Sequence, residues 1–351
     1  MIALWVAAGL LVSPAHAKSW CATPLVVHEW GVQVFHGPGA QPVDMDLPPW
    51  FHRRASVGSV GVTPVRSLPA DGGEREIPVL QFYASRVYGD GVPVAVELGL
   101  IDGQPSVWYP REDRLLPARP DGDAGVQLAW DALSLTVQAR VAPQATQLPW
   151  IGELREVPQA LWVNRGGQSE RFLFYEAQTR AKPSVRIEGD RLINSGSQPV
   201  HDLIVVSRSG GVVRVDQHSV LSSDSHAALD LEPMDDAAAT LRTWLAAALA
   251  ADEGVEALDE WSMDMDDCVM MRDPAVPVRS SEGHGLYPQE IDALLNLWQV
   301  RFFEQQGTVL LYREDPAALD AAAPLSVYTD MNHFVRMSRA GLVLWEGLAL
   351  E

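Results

Sequence analysis

The stretch Val26–Phe35, VVHEWGVQVF, decides how the rest of the chain is read. Taken as a β-strand, its side chains alternate between two faces. Val26, His28, Trp30, Val32 and Val34 then share one face, and Glu29, Gly31 and Gln33 share the other. The face on which apolar residues recur is the one that meets a core. This predicts that Trp30 fills the interior and that His28 is its buried, hydrogen-bonded neighbour. Glu29 is then expected to meet either solvent or a second packed layer. In the second case an ionised carboxylate needs partners, and Arg or backbone N–H groups should surround it as a structural clasp. The same parity points His28 and Glu29 apart, so a cooperating dyad here requires a bulge, for which Gly31 is the residue at hand. The competing reading makes His28 and Glu29 a catalytic pair at the mouth of the strand, with Trp30 as a binding residue. His36 shares the parity of His28 but lies eight residues on, roughly 26 Å at about 3.3 Å per residue, so the two cannot ligate one metal.

Further short β-like runs follow this stretch, punctuated by turn residues: Ile77–Ala84, Val92–Leu98, Val126–Ala139, Arg171–Tyr175, Val185–Glu188, Asp202–Ser207 and Val212–Val215. Many short strands with Gly-rich turns between them point to an antiparallel β-sandwich. The Pro- and Gly-rich segment Pro38–Gly73 reads as a long ordered loop. The character changes near residue 234. Asp235-Asp236 can open a helix whose Leu241, Trp244, Leu245, Ala248 and Leu249 fall on one face. A second helix opens near Tyr287-Pro288, aligns Ile291, Leu294, Leu295, Trp298 and Phe302, and stops at Gly307. Strand-like Thr308–Tyr312, Leu325–Tyr328 and Gly341–Trp345 come after it. The expected fold is therefore mainly β, an antiparallel β-sandwich over residues 18–233, with a C-terminal α+β region over 234–351 docked on it.

At 351 residues, 47% hydrophobic and 21% charged, the chain has the makings of substantial cores. Its 46 acidic against 26 basic residues leave a formal charge of −20, which argues against nucleic acid as a partner. Residues 1–17, MIALWVAAGLLVSPAHA, read as a signal peptide with an apolar core from Ile2 to Val12 and an Ala15-His16-Ala17 cleavage site, although no Lys or Arg precedes the core. That core is too short to span a bilayer, which takes about 20 residues. The expectation is a periplasmic or secreted protein with no integral membrane segment after cleavage near Ala17. Its two cysteines, Cys21 and Cys268, are expected to be bonded in an oxidising compartment. Closing so long a loop is worth about 4–5 kcal/mol in the chain-entropy account.

Known catalytic patterns are missing: there is no HExxH, Gly-x-Ser-x-Gly, Walker loop or CxxC pair. Met263–Cys268 resembles a calcium loop but has Cys268 and Val269 where an EF-hand needs an oxygen ligand and then Gly; an irregular site competes there with a solvated acidic turn. Gly283-His284-Gly285, just before the second helix, is either a flexible loop or a means of aiming a histidine or of binding an anion at the helix N-terminus. No cofactor is expected and no metal ligand set is assigned. The 12 tryptophans raise the possibility of sugar stacking, with Trp50, Trp108, Tyr109 and Trp150 beside prolines as the candidates.

The segments VHEWGVQVF, IPVLQFYA, VWYP, ERFLFYEA and GLYPQEIDALLNLWQVRFFEQQGTVLLY, followed by LDAAAPLSVY, run in that order through most of the chain beyond residue 17. Together they resemble an uncharacterised family of exported bacterial proteins that begin with a His-Glu-Trp-Gly-Thr type motif. The resemblance implies export and no particular reaction. This chain departs from the pattern at Val32, in place of the usual threonine, and at Glu176, where an arginine commonly follows the Phe-Leu-Phe-Tyr run. Two functional classes follow. The favoured one is a non-catalytic exported binding or scaffold protein, with a glycan or another exported protein as its partner. The alternative is a metal-assisted or glycan-directed hydrolase using His28 and Glu29, with His52, His284 or His333 brought in by the fold.

Overall fold

The computed structural model of the protein describes residues 22–40, 46–54, 72–118, 125–254 and 273–349. The signal-peptide segment, both cysteines and the acidic Met263–Cys268 run lie outside these residues. In chain order the strands are β1 (Thr23–His36), β2 (His52–Arg53), β3 (Gly73–Ala84), β4 (Val92–Leu100), β5 (Gly103–Tyr109), β6 (Arg114–Ala118), β7 (Gly125–Thr136), β8 (Trp162–Arg165), β9 (Gln168–Glu170), β10 (Leu173–Thr179), β11 (Val185–Glu188), β12 (Arg191–Asn194), β13 (Val200–Ser209), β14 (Val212–Leu221), β15 (Ser225–Ala228), β16 (Glu232–Pro233), β17 (Gly307–Glu314), β18 (Leu325–Thr329) and β19 (His333–Leu348). The helices are α1 (Pro149–Glu156), α2 (Ala237–Leu249), α3 (Pro288–Gln299) and α4 (Pro316–Ala322), with a π-helical turn at Val300–Glu304 continuing α3. The chain is mainly β, with large antiparallel sheets and C-terminal helices, as expected.

The opening stretch is the spine of the molecule. Strand β1 lies inside a ten-stranded sheet of order β16-β14-β13-β17-β19-β1-β3-β10-β5-β2. It pairs antiparallel with β3 and parallel with β19, the last strand of the chain. Antiparallel pairing was expected within residues 18–233, and this pair, which brings in a strand from beyond them, is parallel. It also changes the domain picture. Strands β17 and β19, from beyond residue 234, occupy the middle of the large sheet, so a boundary at 233 passes through the sheet rather than between two bodies. A parallel pair made from the two ends of a chain needs a long connection, and here nearly the whole protein supplies it.

Both faces of β1 are covered. The even-numbered face, with Trp30, Val32 and Val34, packs under α1, α2 and α3 in a core that includes Leu241, Leu245, Leu294, Leu295 and Trp298. The odd-numbered face carries Leu25 and Val27 into a core shared with a six-stranded sheet that runs β18-β4-β7-β8-β9, with β6 paired to β7. Further along the same face, Phe35 packs against a three-stranded sheet, β11-β12-β15. The register of β1 on β3 shifts between Trp30 and Val32. At that point Gly31 lies so close to Pro78 that an added Cβ would sit 2.9 Å from its Cα. Glycine is there to admit the neighbouring backbone.

The second helix runs as its periodicity dictates: Ile291, Leu294, Leu295 and Trp298 are buried, and Gly307 ends the segment at φ +96°. Trp298 stacks on Phe302 at 5.4 Å between centroids, and the Arg301 guanidinium covers its ring at 4.7 Å. Arg301 also bonds the carboxylates of Glu346, at 2.8 and 3.0 Å, and Glu76, at 2.6 Å, tying the π-helical turn to β19 and β3. Most of the Pro38–Gly73 segment lies outside the described residues; the described part holds the two-residue strand β2, flanking turns and the first residue of β3.

Candidate functional site

Parity holds at the opening motif, and it separates the two candidate catalytic residues. His28 is 3% exposed and Glu29 is 2% exposed, on opposite faces of β1. The proposed His28–Glu29 dyad is therefore not formed: the extra residue of the irregularity opposite Gly31 lies on β3, and β1 keeps an unbroken register on β19.

Glu29 meets the second packed layer. In the parallel register it sits directly beside Arg339, which is fully buried, and the Arg339 Nε donates to its carboxylate. The Tyr175 hydroxyl donates to its other oxygen at 2.5 Å. Arg339 Nη1 in turn donates to Asp320 of α4 at 2.8 Å, and Asp320 accepts from the Ser281 backbone and hydroxyl. These neighbouring carboxylates hold the Arg339 guanidinium above its ordinary range against the opposing effect of burial. The arrangement is the clasp anticipated for a buried Glu29. It joins β1, β10, β19 and α4 and leaves Glu29 no access to a substrate.

His28 has a different partner, Glu290. Its Nδ1 lies 2.6 Å from Glu290 Oε2, and Glu290 is fully buried. Glu290 is the third residue of α3, where a carboxylate meets the positive end of the helix. Its Oε2 also accepts from the Tyr287 backbone N–H at 2.8 Å. With Oε2 an acceptor, His28 Nδ1 is the donor. The imidazole is held between two aromatic rings, Tyr83 at 5.4 Å and Tyr287 at 4.5 Å between centroids. Burial and the adjacent Glu290 push the Tyr83 phenol well above its usual range, so it stays protonated. Gln81, paired with His28 across β3, is fully buried, and neither amide atom has a partner among the described residues.

From this cluster His28 and Tyr287 line a cleft of about 690 Å³, between the C-terminal end of α2 and the β1–β19 pair. Ser338, the register partner of His28 on β19, lines it, and so does His284 from the loop ahead of α3. His284 Nε2 lies 3.1 Å from the Ala248 carbonyl, and burial lowers its pKa. His52 and His333 are elsewhere: His52 pairs with Gln168, and His333 is held by Asp330 and the Arg86 carbonyl. Among the described residues no group of three or more His, Cys, Asp or Glu side chains is placed to hold a metal ion.

Of the aromatic candidates Trp50 is partly exposed at the edge of a core, against Phe51, and the others are buried. Trp30, Trp108 and Tyr109 are 1%, 4% and 2% exposed, so none offers a ring for a sugar to stack on. Trp108 Nε1 is spent on Glu112 at 2.6 Å, and Tyr109 stacks on Phe51. Trp150 is also buried, against Phe51 and Phe174. A proline neighbour did not mark exposure at Trp108, Tyr109 or Trp150. What sequence reasoning missed is Glu290. Its local signal was present, a glutamate at the third position of a helix opened by Pro288, but nothing local linked it to a histidine 262 residues away.

Comparison of the sequence with protein-family models and with curated proteins returned no match. No helix among the described residues is long and apolar enough to cross a membrane.

Proposed function

We propose that this is an exported binding protein whose ligand enters the cleft walled by His28. One observation carries the reading: a nearly inaccessible histidine, oriented from behind by a fully buried glutamate, keeps a ring nitrogen without a hydrogen-bond partner among the described residues while lining a cleft of about 690 Å³. A histidine kept only for packing gains nothing from a cleft, whereas concave sites with a few fixed polar groups are the usual form of ligand pockets. Export rests on the leader-like segment at residues 1–17 and on the resemblance to an exported bacterial family. With Trp30, Trp108 and Tyr109 buried, glycan stacking on those rings has no support.

A second reading is favoured by the same geometry. An imidazole whose Nδ1–H is fixed by a carboxylate is the base-and-orienter half of many hydrolytic sites. If the protein is a hydrolase, its dyad is His28 with Glu290, not His28 with Glu29.

The test is a thermal-shift screen of small polar metabolites on the full chain, followed by titration of each hit monitored at histidine ring nitrogens labelled with ¹⁵N. A ligand that raises the melting temperature is expected to shift His28 and His284 and to lose most of its effect in His284→Leu. Hits that bind with both histidines unmoved would refute the cleft as the binding site. Turnover of a hit, abolished in Glu290→Gln with binding retained, would select the hydrolase reading.

A further inference from the structure

The cleft presents hydrogen-bond acceptors and negative charge, and we infer that its ligand is an organic cation, of which a primary ammonium fits best. The inference rests on the ligand-binding reading above and adds the chemistry of what binds. Both cleft histidines are fixed from behind in the same sense. Glu290 takes the Nδ1–H of His28, and the Ala248 carbonyl takes the Nε2–H of His284. The His284 ring therefore keeps a lone pair on Nδ1, and neither that nitrogen nor His28 Nε2 has a partner among the described residues. Burial keeps His284 in the neutral form. A ligand meeting that nitrogen must donate.

The surroundings choose among donors. The cleft lies at the C-terminal end of α2, where Ala247, Ala248 and Ala250 line it, and the carbonyl end of a helix favours positive charge. Asp252, Glu253 and Glu282 stand on its rim. The one arginine on the lining, Arg336, is already engaged with Glu282 at 3.2 Å and Glu253 at 3.9 Å, and Asp252 has no basic partner among the described residues. A carboxylate or phosphate entering the cleft would face the His284 lone pair and an acidic rim, whereas an ammonium gains from both. The rings of His28 and Tyr287, 4.5 Å apart, add apolar surface for the group that carries the charge.

Three ligands of one shape and different charge test this: benzylamine, benzyl alcohol and benzoate, titrated near pH 7 into the full chain with ¹⁵N-labelled histidine. Benzylamine is expected to shift His28 and His284 saturably and at least tenfold more tightly than benzyl alcohol, with benzoate giving no saturable shift. His284→Leu should weaken benzylamine at least fivefold, and His226→Leu, at an exposed position on another part of the surface, should leave it unchanged. If His28→Gln fails to fold, the His284 variant still decides. Equal affinity for the amine and the alcohol, or tighter benzoate, would overturn the cationic assignment while leaving a ligand site in the cleft. No shift of either histidine with any of the three would overturn it together with the site.

Discussion

Removing the Glu29 carboxylate should be among the most damaging single changes in the protein. In Glu29→Ala the Arg339 guanidinium, with no exposed surface, keeps Asp320 but loses the partner on β1, and the Tyr175 hydroxyl loses its acceptor. Breaking a buried charge pair from one side costs about 3–5 kcal/mol, because the remaining charge stays out of water unpaired. At about 2.1 cal/mol/K of unfolding entropy per residue, a chain of 351 residues loses roughly 4–7 °C of melting temperature. Replacing both partners, Glu29→Leu with Arg339→Met, removes the stranded charge along with the clasp, and Asp320 keeps its bonds to Ser281. The double variant should recover at least half of the loss. Chemical and thermal unfolding of the two singles and the double give the coupling energy directly. A Glu29→Ala loss below about 1 kcal/mol, or strictly additive losses, would show that the clasp does not hold the layers together.

Three further outcomes are expected. Trp298→Ala should cost about 3–5 kcal/mol, since the ring is fully buried between Phe302 and the Arg301 guanidinium; near-wild-type denaturation would contradict the packing of α3. Glu176 has its pKa pushed up to about 8 by burial, then by Glu76 and Glu74, so its folded-state value lies above the unfolded one. Its contribution is fully present below the ordinary carboxylate range and is lost as pH rises towards 8; Glu176→Gln should therefore stabilise more at pH 8.5 than at pH 5, and an equal effect at both would refute the assignment. Cys21 and Cys268 should appear as one crosslinked peptide pair in a non-reducing digest of exported protein; two freely alkylated thiols would rule the bond out.

Much of the architecture was legible because its signals are local. Alternation along Val26–Phe35 separated His28 from Glu29 and set Trp30 in a core, and the 3.6-residue period of Ile291 to Trp298 gave α3 its buried stripe. Although β11, as short as β8 and β12, was legible, the short strands β8, β9 and β12 were not. Neither was the burial of Trp108 and Tyr109: a proline beside a ring says nothing about which layer will cover it.

What the sequence determined by itself is therefore periodicity: which residues share a face, where helices open and stop, and that a buried Glu29 would need a clasp. Only the tertiary structure decided the partners. The parallel pairing of β1 with β19 brought Arg339 beside Glu29, and the docking of α3 over the other face delivered Glu290 to His28. The reason is physical. Alternation and helical period come from backbone geometry within a few residues, whereas a hydrogen bond between residues 262 or 310 apart depends on how whole layers stack, and any of the chain's 46 acidic residues could have met that need.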